Sequence, residues 1–201
     1  MGFEEVCICM PDITENVGAE VTKSKITTKE LVFTALMAVI IAVCSWISIP
    51  TTVPFTLQTF GVFMAVGLLG GKKGTISVLV YILLGAVGVP VFAGFSGGIG
   101  VLFGTTGGYI VGFLLSGLVY WAMTAAFGEK LPIMIIAMVL GLIVCYAFGT
   151  AWFMIVYAKN TAPIGLMTAL GWCVFPFIIP DCIKIALAVV LTKQLKKYVK
   201  L

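Results

Sequence analysis

The 201-residue chain is 61% hydrophobic and only 10% charged, and its mean hydropathy is +1.19. A soluble domain of this length does not reach such values, so the composition excludes a soluble protein and predicts one membrane domain. The chain has no histidine, which excludes Ser-His catalysis.

Residues 1–22 form an acidic segment with five carboxylates and no lysine. The segment lacks the basic start and apolar core of a signal peptide, so we predict a disordered tail that faces the cytosol. Cys7 and Cys9 have no nearby cluster of further ligands, and the sequence therefore predicts neither a metal site nor a cofactor. We assign residues 23–201 to the membrane domain.

Six apolar stretches follow the tail, and several have the roughly 20 residues that a spanning helix needs. They cover about 31–49, 55–70, 75–89, 107–127, 133–158 and 166–192. The last contains Pro176 and Pro180, which indicate a kink or a helix start there. The predicted fold is an all-α integral membrane protein, a bundle of six transmembrane helices with a glycine-rich outward loop between helices 3 and 4.

Lysine placement predicts the orientation of this bundle. Ten of the lysines fall on one side of an alternating six-helix path, while Lys159 lies on the other side. The ten are Lys23, Lys25, Lys29, Lys72, Lys73, Lys130, Lys193, Lys196, Lys197 and Lys200. By the positive-inside rule, both termini are expected in the cytoplasm of a multi-pass protein of the bacterial plasma membrane.

The connection between helices 3 and 4, residues 88–109, is the glycine loop. It contains eight glycines and no charged residue. Irregular backbone near membrane depth persists only where protein buries it or where it lines a cavity. We therefore interpret the loop as a lid over a ligand, with Phe92, Phe95 and Phe103 as its apolar lining. A flexible surface turn is the alternative.

Asp181 and Lys184 are the only charged residues within the last apolar stretch. An ionised side chain at the centre of a membrane helix costs roughly 2.5–3.5 kcal/mol, so such residues usually bind something. Their i, i+3 spacing places them on one helix face, where they offer an acceptor beside a donor. Pro180 suggests that Asp181 lies in a first helical turn. The pair predicts a site for a small polar molecule; a salt bridge that fixes the helix is the alternative.

Small residues recur at four-residue spacing on three of the predicted helices. On helices 4 and 5 these stripes predict close packing within the bundle, because small side chains let helix backbones approach in lipid. The residues are Gly108, Gly112 and Ser116, then Ala137, Gly141, Cys145 and Gly149. On helix 1, Ala35, Ala38 and Ala42 are interpreted either as packing or as a docking face for another membrane protein.

Several short segments form a recognisable combination: 54–58 (PFTLQ), 68–77 (LLGGKKGTIS), 88–92 (GVPVF), 97–98 (GG), 104–109 (GTTGGY) and 180–184 (PDCIK). Together they resemble the BioY family, the biotin-binding membrane subunits of energy-coupling-factor transporters, and the resemblance covers about residues 28–198. It implies a non-enzymatic six-helix subunit that binds biotin from outside. It also implies docking, partly through helix 1, to a transmembrane coupling subunit that recruits two ATPase subunits.

The resemblance also implies a ligand-binding set. Asp181 and Lys184 would meet the ureido group of biotin. The remaining members are Gln58, Ser96 and Tyr109 as polar contacts, Phe92, Phe95 and Trp152 as the cover, and Gly97 and Gly98 in the lid. The expected partners are biotin, the coupling and ATPase subunits and membrane lipid, and no nucleic acid. The open alternatives are a sibling subunit for another vitamin and an intramembrane enzyme or channel.

Overall fold

The computed structural model describes residues 27–51 and 53–198. The predicted acidic tail with Cys7 and Cys9 lies outside these residues, as do Lys23, Lys25 and Lys200. The described elements are α1 (Thr28–Trp46), β1 (Ser48–Ile49), β2 (Phe55–Thr56), α2 (Gln58–Val87), a 3-10 turn (Ala93–Phe95), α3 (Ile99–Phe103), α4 (Gly107–Phe127), α5 (Leu131–Asn160), α6 (Leu166–Cys173) and α7 (Phe175–Leu195). The predicted boundary between tail and membrane domain stays a prediction.

Helix α2 contains two of the six predicted helices, because the chain reverses inside it. Gly70 has φ 79° and ψ 168°, a conformation that separates helical segments 58–69 and 71–87. The segments then run side by side: a Cβ built on Gly74 would lie 2.4 Å from the Cα of Val66. Lys72 and Lys73, which the sequence placed in a loop, therefore lie on the second segment.

Five spans in the described residues are long and apolar enough to cross a membrane: α1, α2, α4, α5, and α6 with α7 taken together. Because α2 consists of two segments, these spans supply six helices, and the predicted all-α membrane bundle is confirmed. The stripes on α4 and α5 pack as expected, since a Cβ on Gly112 would lie 2.9 Å from the Cys145 Sγ and one on Gly141 would lie 3.0 Å from the Ser116 carbonyl oxygen.

The last span is interrupted at Val174, where φ is −125° and ψ is −57°. Pro176 follows in the first turn of α7, and Pro180 lies inside the helix. Helix α7 thus begins at Phe175, and Asp181 lies in its second turn. The prediction that Asp181 lies in a first helical turn is wrong, because the chain restarts its helix before Pro176 rather than at Pro180.

One end of the bundle collects most of the described charged residues, and we call it the lysine-rich end. Lys73 pairs with Glu30 at the start of α1, and Lys196 pairs with Glu129 in the α4–α5 connection, each at 2.7 Å. These pairs are partly exposed and contribute little stability individually. The opposite end carries the glycine loop and the short β1–β2 hairpin, in which Ser48 pairs with Thr56.

Helix α1 packs against α2 through its small residues. Ala38 and Ala42 are buried, and a Cβ on Gly61 of α2 would lie 3.2 Å from the Cα of Ile41. Ala38 and Ala42 are therefore not exposed as a docking face in the described residues, and the docking role predicted for helix 1 stays a prediction. Ala35 lies on the exposed side of α1.

This difference gives a test of the α1–α2 interface. Ala38→Trp is expected to destabilise the fold by about 1–3 kcal/mol, because a large ring has no space beside α2. Ala35→Trp, the matched control on the exposed side, should unfold at the temperature of the parent. The measurement is thermal unfolding of the purified protein in detergent. Equal stability of both variants would contradict the observed packing of α1.

Candidate functional site

A cavity lies near the end of the bundle opposite the lysines, with about 750 Å³ of empty space including its open part. Small-molecule sites are mostly apolar with a few placed polar groups. The cavity is formed by the β1–β2 connection, the glycine loop and helices α2, α4, α5, α6 and α7. The lining residues used below are Thr56, Gln58, Phe92, Ser96, Tyr109, Tyr146, Asp181 and Lys184.

Asp181 and Lys184 form an ion pair inside this cavity wall. Their Oδ1 and Nζ atoms are 2.7 Å apart, and the side chains are only 3% and 6% exposed. The i, i+3 spacing on α7 produces this contact, as the sequence predicted. A buried pair contributes net stability only where further hydrogen bonds satisfy both charges.

Strand β2 supplies contacts to Lys184 that the sequence did not reveal. The Lys184 Nζ donates a hydrogen bond to the Thr56 carbonyl oxygen at 2.7 Å and lies 4.3 Å from the centroid of the Phe55 ring. The Phe55 ring also stacks on Phe177 of α7, with centroids 5.7 Å apart. The β1–β2 hairpin therefore also holds the ammonium group that Asp181 contacts.

Tyr146 of α5 is the second contact that sequence reasoning missed. Its hydroxyl donates a hydrogen bond to the Asp181 Oδ2 at 2.5 Å. Both carboxylate oxygens of Asp181 are thus engaged, one by Lys184 and one by Tyr146. A tyrosine in an apolar helix gives no pairing signal in one sequence.

Gln58 begins α2 at the cavity wall and is 4% exposed. Its Nε2 is buried and has no hydrogen-bond partner. Buried polar groups in native proteins are nearly always paired, so the unpaired amide of a residue in the cavity wall is a candidate ligand contact. The sequence prediction of Gln58 as a polar contact agrees with this position.

Ser96, Tyr109 and Phe92 were also predicted for the site and line the cavity. The hydroxyl groups of Ser96 and Tyr109 already have hydrogen-bond partners. The Ser96 Oγ donates to the Ala93 carbonyl oxygen at 2.7 Å, and the Tyr109 hydroxyl lies 2.9 Å from the Thr150 Oγ1. The Phe92 ring packs edge-on against Tyr81, with centroids 5.6 Å apart. These side chains shape the wall more than they offer free donors.

The glycine loop is held at several points. The Ser45 Oγ donates to the Val91 carbonyl oxygen, the Trp46 Nε1 donates to the Pro90 carbonyl oxygen at 2.9 Å, and the Gly98 amide donates to the Gly85 carbonyl oxygen at 2.7 Å. Gly98 has φ 97°, which favours glycine. The flexible surface turn, the alternative for this loop, does not fit these contacts.

Five residues predicted for the site do not line this cavity: Phe95, Gly97, Gly98, Phe103 and Trp152. Phe95 is 65% exposed. Its ring stacks on Trp46, with centroids 5.1 Å apart, and does not reach the cavity. Trp152 instead donates its Nε1 hydrogen to the Gly104 carbonyl oxygen at 3.0 Å, which fixes the end of the glycine loop to α5. Gly97 packs on the backbone of Val89, and the amide of Gly98 is engaged by α2.

The arrangement is suited to binding a neutral polar group. Asp181 can accept and Lys184 can donate, while together they add no net charge to the cavity. Within residues 27–51 and 53–198, no three His, Cys, Asp or Glu side chains cluster as metal ligands would. Apolar side chains around the pair would cover the less polar part of a ligand.

Comparison with known proteins gives consistent matches over most of the chain. Residues 19–201 match the model of the BioY family. The chain is 39% identical over 170 residues to a biotin transporter BioY of Thermotoga maritima, covering 84% of this chain and 96% of that protein. It is 40% identical over 169 residues to a probable biotin transporter BioY of Pyrococcus horikoshii, with the same coverages.

A solved structure has the same fold. It is a crystal structure of the S-component for biotin from an ECF-type ABC transporter, and it matches with a TM-score of 0.75 and 32% identity. The match covers 84% of this chain and 91% of that one. The five spans and these relatives establish a multi-pass membrane protein. The chain belongs to the BioY family.

Proposed function

We propose that this protein binds biotin as the substrate-specificity subunit of an energy-coupling-factor importer. The observation that carries the proposal is the buried Asp181–Lys184 pair in the wall of a cavity that also contains the unpaired amide of Gln58. The family relatives, named as biotin transporters and as an S-component for biotin, support the same ligand.

The ureido ring of biotin has two N–H donors and one carbonyl acceptor. Asp181 would accept from an N–H group, and Lys184 would donate to the carbonyl oxygen. A site that hydrogen-bonds both parts rejects analogues without them, because its own buried groups would then stay unpaired. Phe92 and the apolar lining would cover the fused ring.

The partners follow from the same proposal. The matched S-component belongs to an ECF-type ABC transporter, so we infer that this chain docks to a transmembrane coupling subunit, which two ATPase subunits drive. The exposed face of α1, with Ala35, Leu36 and Val39, is the surface that we assign to docking. This face replaces the one predicted from Ala38 and Ala42.

The orientation in the membrane is also part of the proposal. The described lysines outside the cavity, apart from Lys159, lie at or near the lysine-rich end, and the positive-inside rule places that end in the cytoplasm. Both termini would then be cytoplasmic, and the ligand cavity would lie toward the outside. The described membrane bundle would be surrounded by lipid.

The purified chain is expected to bind one biotin without ATP or metal, and not to accumulate biotin against a gradient by itself. Native mass spectrometry and calorimetry measure the binding, and uptake by vesicles with and without added coupling and ATPase subunits measures the transport. Tight binding of another vitamin such as riboflavin, with no binding of biotin, would contradict the proposed ligand.

Ala35→Trp separates docking from binding in the same experiment. The variant should keep the biotin affinity of the parent, because α1 contributes its exposed face and not the cavity wall. Its co-purification with the coupling subunit should fall. Unchanged assembly with the coupling subunit would contradict the assignment of α1 to the docking surface.

A further inference from the structure

Helices α5 and α7 both contribute residues to the cavity wall but pack sparsely against each other. Between them and α6 lies an apolar groove with about 1200 Å³ of empty space including its open part. Its lining includes Ile143, Ala147, Ile178 and Cys182. Contact between α5 and the cavity-facing part of α7 is confined to a few residues, among them Phe177, which shares an apolar cluster with Cys145 and Phe153.

The segment of α7 that carries Asp181 also has a weakened backbone. Pro180 lies inside α7 and removes one intrahelical hydrogen bond, and the helix is interrupted a few residues before it, at Val174. A helix with these features can bend locally. Within α7, Lys184 engages only the Asp181 Oδ1, so a contact from outside α7 is needed to hold the second carboxylate oxygen.

Tyr146 supplies such a contact. Its hydroxyl engages the Asp181 Oδ2, and in the part of the chain that the structure describes this is the side-chain hydrogen bond that joins α5 to α7. The Tyr146 ring and Leu142 line both the ligand cavity and the apolar groove. One side chain thus orients the carboxylate and forms part of the wall between the two spaces.

We propose that Tyr146 is a positioning residue that sets the ligand-accepting geometry of Asp181. With Oδ1 turned to Lys184 and Oδ2 to Tyr146, the plane of the carboxylate is fixed, and the remaining lone pairs are available to the N–H donors of a ligand. This inference rests on the proposed function and extends it to a residue on a different helix from the charge pair.

Tyr146→Phe tests the inference because it removes one oxygen atom and keeps the ring in the wall. Biotin affinity is expected to fall about tenfold to hundredfold, the usual effect of losing a hydrogen bond to a charged group. Tyr120→Phe is the matched control: the Tyr120 hydroxyl is buried without a partner, so its removal should leave the affinity unchanged.

A double-mutant cycle distinguishes positioning from general structural support. If Tyr146 acts through Asp181, Tyr146→Phe should cost little further affinity in an Asp181→Asn background. Equilibrium dialysis with radiolabelled biotin measures all four proteins. A second readout compares biotin with an analogue methylated on one ureido nitrogen, and Tyr146→Phe should reduce the discrimination between the two.

The outcomes separate this inference from the proposed function. A parent protein that binds no biotin would overturn both. A parent that binds biotin with Tyr146→Phe unaffected, or with fully additive losses in the cycle, would overturn the role of Tyr146 alone. An equal loss of biotin affinity in Tyr120→Phe and Tyr146→Phe would also overturn the role of Tyr146.

Discussion

Asp181→Asn and Lys184→Ala are each expected to weaken biotin binding at least a hundredfold. Removing one member of a buried charge pair typically costs about 3–5 kcal/mol, because the other charge stays buried without its partner. Each 1.4 kcal/mol corresponds to about a tenfold change in affinity. In this site both groups would also lose a ligand contact, and calorimetry on the detergent-solubilised protein measures the result.

Matched controls remove the same charges elsewhere. Glu129→Gln breaks the partly exposed pair with Lys196 at the lysine-rich end, and Lys159→Ala removes an exposed lysine at the end of α5. Both should bind biotin like the parent, because neither residue lies at the cavity.

The double variant Asp181→Asn with Lys184→Met tests the alternative, a salt bridge that only fixes α7. Without charges to bury, this variant is expected to recover much of the stability lost by the single variants. Its biotin affinity should remain low, because both ligand contacts are gone. Recovery of affinity together with stability would show that the pair is structural.

Gly107→Ala is expected to lower biotin affinity at least tenfold and to destabilise the protein. A Cβ at this position would lie 1.7 Å from the Leu102 carbonyl oxygen and 2.4 Å from its carbonyl carbon. Because these are backbone atoms, a side-chain rotation cannot relieve the clash, and α3 must move away from the start of α4. Thr106 and Tyr109, which line the cavity beside this position, would move with it.

Gly100→Ala is the control for this glycine substitution. Gly100 lies in α3, only seven residues before Gly107, and a Cβ there would meet no atom within 4 Å. Alanine should be neutral or slightly stabilising at this position, since it favours helix over glycine. Thermal unfolding and biotin binding of both variants give the comparison. A Gly107→Ala protein that behaves like the parent would contradict the described contact between α3 and α4.

The bundle could be predicted from hydropathy and lysine placement because those patterns follow from the bilayer itself. The reversal at Gly70 could not, since a glycine pair followed by two lysines also fits an ordinary loop. The structure shows that one residue with φ 79° makes the whole turn. Hydropathy predicts where a membrane helix lies. How two such helices are joined depends here on the backbone conformation of one residue, Gly70.

Part of the site could also be predicted, because a charge within a membrane helix is costly enough to stand out. Asp181, Lys184, Gln58 and Tyr109 do line one cavity. Thr56 was missed because its contribution is a backbone carbonyl oxygen, which every residue has. For Phe95 and Trp152, sequence position near a lid did not determine which way the ring points.

The α1 stripe shows a different limit of sequence reasoning. Small residues at four-residue spacing predict that a helix will be approached closely, but they do not identify the approaching helix. In this chain α2 takes that place beside Ala38 and Ala42.

The reversal at Gly70 has a consequence for how the chain enters the bilayer during synthesis. Segment 58–69 is about 18 Å long at 1.5 Å per residue, well short of the roughly 30 Å hydrocarbon core. It cannot leave the translocon as an independent transmembrane segment, so we expect residues 58–87 to insert together as one helical hairpin. Replacing Gly70 by a residue with a side chain would then lower the yield of correctly inserted protein. This effect would precede any effect on ligand binding.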